Sequence, residues 1–477
     1  MKRLSLRFFS QQSQSILIFF VLLVASISFF LFTQKKLIYV LIGIALVAGV
    51  AWCQFNLRRW IYLILIFMPL SPNITLYRIH AEVSAELNDF IVLTAVLVYS
   101  LNKWLAPVKR KKTDYYLFIP MVLYIMTCIL SSLLGFYRHY QFVLVINSFA
   151  HLFKGIIYVS LYFIIFNVFQ EEKELKTLLR IFILSFSLGA IITVYKYLVF
   201  SGGIIKIYRV GVISQEGINA YGVTLALVLI FFYNLLLQGK AKELFPHWLF
   251  ISLWSLILLA MIATFSRTAW ASLWGGIIFL TFIRKRKYIG IVLILVATLN
   301  FLLLRKPVEK RIKMTLNKAY ESPIPIDLGG REFIWVKALK RIGIKNILGV
   351  GSHNFQQTLM GTTPHNQYIT VLGENGFLGL FAFFFLLYRI FKAHIYLSKY
   401  HPLPFFRECA IGSLTAFIVL SLASFGGEFL YMPSMSLILI LYAPSRITYQ
   451  KEYEKFLQKR FPTFNALLGY KLGGIYK

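Results

Sequence analysis

Long uninterrupted apolar runs limit what this chain can fold into more than any other feature. Runs of about 17–25 residues are long enough to cross a hydrocarbon core as a helix. They can be drawn at 15–33, 37–54, 88–105, 115–136, 147–169, 177–199, 218–237, 247–265, 267–283, 288–304, 375–397 and 408–425. Two shorter runs, 59–71 and 429–443, lie beside prolines and read as further spans. In hydrocarbon a backbone must satisfy its own donors and acceptors, so lipid-facing runs like these fold as helices. The pattern predicts an all-α fold: a polytopic membrane helical bundle of about 12–14 transmembrane helices with one large extracytoplasmic loop. A mean hydropathy of +0.71 with only 14% charged residues separates the chain from soluble globular proteins.

Four regions follow. Residues 1–304 read as an N-terminal transmembrane bundle, 305–366 as a basic extracytoplasmic loop, 367–445 as C-terminal transmembrane helices and 446–477 as a basic cytoplasmic tail. The first nine residues are basic and no small-residue cleavage site follows Phe32, so the first run is expected to be retained.

A formal net charge of +32 would point to nucleic acid in a soluble protein. Here much of the charge flanks spans, where it sets orientation, and no nucleic-acid partner is expected. Arg58-Arg59, Lys109-Arg110-Lys111-Lys112 and Arg284-Lys285-Arg286-Lys287 fall on one side, together with both termini. The opposite side receives 71–87, 137–146, 200–217, the 265–267 corner, 305–366 and 426–428. The loop at 305–366 is itself basic, but long loops translocate largely regardless of charge. Within it Phe333, Ile334, Leu339 and Ile342 recur at helical spacing among lysines and predict an amphipathic helix at the interface.

The polar candidates gather on that second side. Arg209 precedes Gly211 and Asn219, Arg267 sits in Thr264-Phe265-Ser266-Arg267-Thr268-Ala269-Trp270 between two runs, and Arg331 follows Gly329-Gly330. Arginine stays charged and presents a planar fork that matches phosphate oxygens. Three of them together would hold a diphosphate. Singly, each could instead snorkel to lipid headgroups. Pro364-His365-Asn366-Gln367-Tyr368 closes the loop and runs into Gly373-Glu374-Asn375-Gly376. His365 can accept a proton from a hydroxyl near neutral pH, or simply bond a carbonyl. Asn366 suits the N-cap of the re-entering helix. Glu374 could be an acid, a base or an arginine's partner. Gly373, Gly376 and Gly379 suggest close helix packing.

His151 and Lys154 read as interfacial or packing residues, His353 has no evident partner, and Arg78, His80, Glu82 and Glu86 read as an ordinary solvated loop. Cys53, Cys128 and Cys409 lie in apolar runs and read as packing residues. Neither a metal-ligand spacing nor a nucleotide-binding fingerprint is present in the sequence, so no cofactor and no metal is expected.

At these residues the chain resembles the O-antigen ligase and O-antigen polymerase superfamily of integral-membrane glycosyltransferases. The resemblance rests on the Arg209-to-Asn219 segment, Ser266-Arg267-Thr268-Ala269-Trp270, Gly330-Arg331-Glu332 with Trp335, Gly349-Val350-Gly351, and His365-Asn366-Gln367-Tyr368 followed by Glu374-Asn375-Gly376. It implies a GT-C-like fold in a bacterial inner membrane, with the active site on the periplasmic side. It also implies metal-independent transfer of a glycan from an undecaprenyl-diphosphate donor, to lipid A core in ligases or to another lipid-linked glycan in polymerases. By the same resemblance His365, Arg267 and Arg331 would be catalytic. Arg209, Asn219, Asn366, Tyr368 and Glu374 would join the two arginines in binding diphosphate and glycan. A transporter of lipid-linked glycan is the competing class. Transporters often show internal repeats and broken helices at mid-membrane, whereas the candidates here cluster at one face.

Overall fold

The computed structural model describes residues 53, 56–69, 75–78, 84–105, 114–139, 142–200, 217–284, 331–343, 347–361 and 363–460. The expected runs at 15–33, 37–54 and 288–304 lie outside these, apart from Cys53, as do Arg209 and residues 305–330 of the loop.

The described chain is a helical membrane bundle. Helix α1 is Leu57–Phe67, α2 Leu87–Leu105, α3 Tyr115–His139, α4 Phe142–Val168, α5 Glu172–Phe200 and α6 Ile218–Leu237. Then come α7 (His247–Ala263), α8 (Arg267–Arg284), α9 (Arg331–Ile342), α10 (Gln367–Tyr400), α11 (Pro404–Ala423) and α12 (Met432–Arg460). Among the described residues six helices, α3, α4, α5, α6, α10 and α11, are long and apolar enough to cross a membrane. One short antiparallel hairpin, β1 (Thr75–Arg78) with β2 (Ser84–Glu86), lies in the segment read as a loop.

Helices α6 and α11 are the most enclosed, because both are apolar all round and pack on each other at the centre. Small residues set the approach. Gly412 of α11 lies against Phe231 of α6, and Gly276 of α8 lies against Val419 and Ile230. At the periphery, Ile119, Leu123, Met126 and Leu130 of α3 stay exposed, as expected of a face that meets lipid tails. All three cysteines are buried and free, as packing residues should be.

Charged groups that enter the bundle at the end predicted to be cytoplasmic are matched. Arg284 pairs with Glu408, and Asn234 Nδ2 donates to the Glu408 backbone carbonyl at 2.8 Å. Arg446 pairs with Asp114 at 3.0 Å, and the Tyr162 hydroxyl donates to the same carboxylate at 2.7 Å. Helix α12 runs through Pro444 to Arg460, so the start of the predicted tail continues the last span as helix.

Helix α10 is broken. Gly376 has φ 66° and ψ −169°, and the segment 347–351 docks into the break. Val350 and Gly351 donate their N–H groups to the carbonyls of Gly373 and Glu374, at 3.1 and 2.9 Å. Leu378 N–H bonds the Ile347 carbonyl at 3.2 Å. A Cβ at Gly376 would strike Ile347, and one at Gly349 would strike Glu374. Gly373 and Gly376 thus serve close approach to Phe355 and to this inserted segment, while Gly379 faces Thr127 of α3.

Candidate functional site

The site is built where the chain turns at the bundle end predicted to face outward. Between α7 and α8, Phe265 adopts φ 48°, a conformation that side chains rarely take. Thr264 Oγ1 accepts the Ser266 N–H at 3.3 Å, and Ser266 Oγ accepts the Ala269 N–H at 3.3 Å. These buried hydroxyls stop one helix and cap the next, which leaves Arg267 as the exposed first residue of α8. Gly222 of α6 lies against Thr264, Ser266 and Ala269, so the first turn of α6, with half-buried Asn219, reaches this same corner.

Helix α9 brings in the second arginine. Its Ala338 and Ile342 are buried against Phe355, so it packs on the bundle. Leu339, expected on the apolar face, is exposed instead. Arg331 opens the helix and donates from Nη1 to the Gly426 carbonyl at 2.5 Å. Burial, and then the like charge of Arg267, hold the Arg331 guanidinium below its ordinary value. Two forks that repel each other at helix starts form a locus of positive potential suited to an anion.

His365 lies beside them. It is exposed, has φ 49°, and its Nδ1 is 3.4 Å from Thr363 Oγ1. Partial burial, and then the Arg331 charge, hold its imidazole below the usual 6.5. The ring is therefore neutral near pH 7 and able to take a proton. Asn366 caps α10 as expected, accepting the N–H groups of Tyr368 and Ile369 at 3.0 and 3.2 Å.

Residues 251–384 match the family model described as O-Antigen ligase (Wzy_C). That segment is similar to the O-antigen ligase family over somewhat more than a quarter of the chain. No curated protein gives a significant match to the chain. The matched segment runs from within α7 through α8 and α9 into the first part of α10, and so includes Arg267, Arg331 and His365. The chain is a multi-pass membrane protein.

Other expected site residues are placed differently. Tyr368 turns to α11: its hydroxyl donates to the Ser421 carbonyl at 2.9 Å and its ring packs on Phe425 and Phe384. Glu374 is buried at the break of α10. Its carbonyl accepts from Ser131 Oγ and Gly351 N, and its carboxylate is sensed by Tyr431. Arg209 lies outside the described residues, as do the side chains of Arg78, His80, Glu82 and Glu86. Among the described residues, no group of three or more His, Cys, Asp or Glu is arranged to hold a metal ion.

The corner between α11 and α12, residues 424–428, is the hub that the sequence did not flag. The Ser424 carbonyl accepts Gln367 N–H at 3.0 Å, Phe425 O accepts Asn366 Nδ2 at 3.5 Å, and Gly426 O accepts Arg331. The Glu428 carboxylate accepts from Thr370 Oγ1 at 2.9 Å and from the Tyr431 hydroxyl at 3.1 Å. Burial pushes Glu428 up from the ordinary carboxylate value, against the pull of these donors. The available sequence signal was a carboxylate after Gly426-Gly427 between two spans, on the side that already held the arginines.

His353 also has neighbours. Its ring stacks on His151 at 3.8 Å between centroids and on Tyr431 at 4.8 Å. Burial, followed by the charges of His151 and Lys154, holds it well below its ordinary value. Lys154 pairs with Asp89 at 3.0 Å. The Gly351–Asn354 segment is pinned to α4: Asn147 Nδ2 donates to His353 O at 3.0 Å, and Ser148 Oγ to Ser352 O at 2.6 Å.

Proposed function

We propose that this chain is a membrane glycosyltransferase moving a glycan from an undecaprenyl-diphosphate donor to an acceptor hydroxyl. What supports the reading is that Arg331 lies within electrostatic reach of both Arg267 and His365, all three in the segment that matches the O-antigen ligase family model. In this scheme the acceptor oxygen attacks the anomeric carbon, the bond from that carbon to the diphosphate oxygen breaks, and the acceptor proton passes to His365. Undecaprenyl diphosphate leaves with its charge held by Arg267 and Arg331, joined by Arg209. Charge stabilisation by fixed donors at a low-dielectric boundary suits such a departure. Asn219 and Asn366 border the glycan site, while Tyr368 and Glu374, turned into the protein, support it through the packing of α10.

The proposed setting is a bacterial inner membrane with the site on the periplasmic face. The favoured acceptor is lipid A core, as in ligases. Polymerisation onto a second lipid-linked glycan is the alternative, supported by the roughly fourteen spans the sequence draws. Purified protein in detergent, given lipid-linked donor and acceptor, should form a covalent glycan product; a lipid transporter would form none. Deleting the gene then separates the two transferases. Long polymer stranded on carrier lipid identifies a ligase, whereas single repeat units identify a polymerase.

A further inference from the structure

We propose that Thr268 is a further diphosphate-binding residue, its hydroxyl meeting the Arg331 fork across Gly426 so that the two hold one anionic group between them. The inference rests on the reading of Arg331 as a residue that binds the carrier-lipid diphosphate. Thr268 is the second residue of α8, next to Arg267, and is half-buried. A Cβ built on Gly426 would lie 3.2 Å from Thr268 Oγ1 and 3.2 Å from Arg331 Nη1, with Thr268 Cγ2 at 3.0 Å. Thr268 and Arg331 therefore close on the same point of the corner between α11 and α12. The φ of Gly426 lies outside the left-handed region, so space, not backbone conformation, calls for glycine there.

The Thr268 hydroxyl is also unengaged. Threonines deeper in the helices turn the hydroxyl back to a carbonyl of the preceding turn. Thr94 donates to Phe90 O at 2.7 Å, Thr193 to Gly189 O at 2.9 Å, Thr281 to Ile277 O at 2.8 Å and Thr415 to Ile411 O at 2.8 Å. Among the described residues the Thr268 side chain makes no such bond. Three positions before it Phe265 has φ 48°, so no regular helical turn precedes Thr268 to offer a carbonyl. Arg331 is in a similar state. Its guanidinium is rich in donors, and among the described residues it bonds only the Gly426 carbonyl, at 2.5 Å. Two donors that converge without a protein acceptor between them call for an acceptor from outside. A phosphate oxygen fits best, because the like charge of Arg267 bears on the same fork. The hydroxyl donates along one lone pair while the fork neutralises the charge. Carrier lipid and bilayer headgroup both present phosphate oxygens, and the test separates them.

The test uses the full-length protein in nonionic detergent and reads the binding of undecaprenyl diphosphate directly. Thr268→Val keeps the shape and removes the hydroxyl, and the Kd should rise by about tenfold or more, as for a lost hydrogen bond to a charged group. Thr268→Ser returns the hydroxyl and should bring the Kd back to within about threefold of the parent. Gly426→Ala sets a methyl between hydroxyl and fork and should weaken binding by at least about threefold. Thr281→Val removes a hydroxyl already bonded within α8 and should leave the Kd within about twofold of the parent. Parent-like affinity in Thr268→Val or Gly426→Ala would overturn the assignment. So would a loss of equal size in Thr268→Ser or in Thr281→Val. An excess of phosphatidylglycerol should not displace undecaprenyl diphosphate from the parent; displacement makes the pair a headgroup anchor and also overturns the assignment. Glycan transfer is measured separately. A parent that binds undecaprenyl diphosphate but makes no glycan product sinks the transferase reading alone, and the Kd series then decides Thr268. A parent that does not bind the lipid overturns both.

Discussion

Arg284 and Arg446 at one end of this bundle and Arg331 at the other live in opposite circumstances. At the end predicted to be cytoplasmic, Arg284 meets Glu408 and Arg446 meets Asp114, with Asn234 and Tyr162 completing the bonds. At the other end, Arg331 meets a backbone carbonyl and the like charge of Arg267. The first arrangement cancels charge inside the protein and holds helices together. The second brings like charges together at the corner where the proposed site lies. Residue type is the same; the neighbours decide whether it serves assembly or chemistry.

The sharpest way to break this comparison is at the open end. His365→Ala and Arg267→Ala should each abolish detectable glycan transfer, a loss on the order of 10²–10⁴-fold for a proton-accepting group, while membrane insertion stays intact. Surface glycan at parent level, with matched protein amounts, would remove these residues from the chemistry. The next effect belongs to the matched end. Glu408→Leu leaves Arg284 without its carboxylate and should cost about 3–5 kcal/mol, read as loss of folded, detergent-stable protein. Pairing it with Arg284→Met should recover much of that yield. If Glu408→Leu instead lowers turnover in well-folded protein, the division between the two ends is wrong.

Arg331→Lys comes third. It keeps a charge but not the fork, so the donor KM should rise by about tenfold with the fold unaffected. Parent-like kinetics there would make Arg331 a headgroup anchor. The smallest effect is on pH dependence. His365 is held below 6.5 by burial and by Arg331, so the acid limb of kcat/KM should have its midpoint below that value. Lowering the pH through it protonates the ring and ends its use as a base. In Arg331→Gln the repelling charge is gone, and the midpoint of the residual activity should move up. A midpoint that stays put would mean that another group titrates.

Much of the frame was readable in the chain. The run at 218–237 is α6 to the residue, and those at 88–105, 115–136 and 267–283 lie within a few residues of α2, α3 and α8. Apolar length is a local property, and the bilayer translates it directly into helix. Which groups meet across the bundle is not a local property. Nothing near Gly426 or Glu428 announces that Arg331, some ninety-five positions earlier, will bond that corner. His353 looked solitary because its stacking partners, His151 and Tyr431, come from α4 and from the corner before α12. Asn366 could be read as a cap because capping involves only the next three residues. Tyr368 could not be assigned a direction, because which face of α10 meets α11 is decided by packing.

The docking of 347–351 into α10 has a bearing on how such proteins can diversify. Gly349 and Gly376 each occupy a place where the partner's backbone lies, and Gly135 of α3 closes on Val350 in the same manner. The inserted segment is therefore keyed into the helical scaffold like a tenon in its mortise. Exchanging that insert between homologues as an independent cassette should fail unless the mating glycines and the Ser131 hydroxyl travel with it.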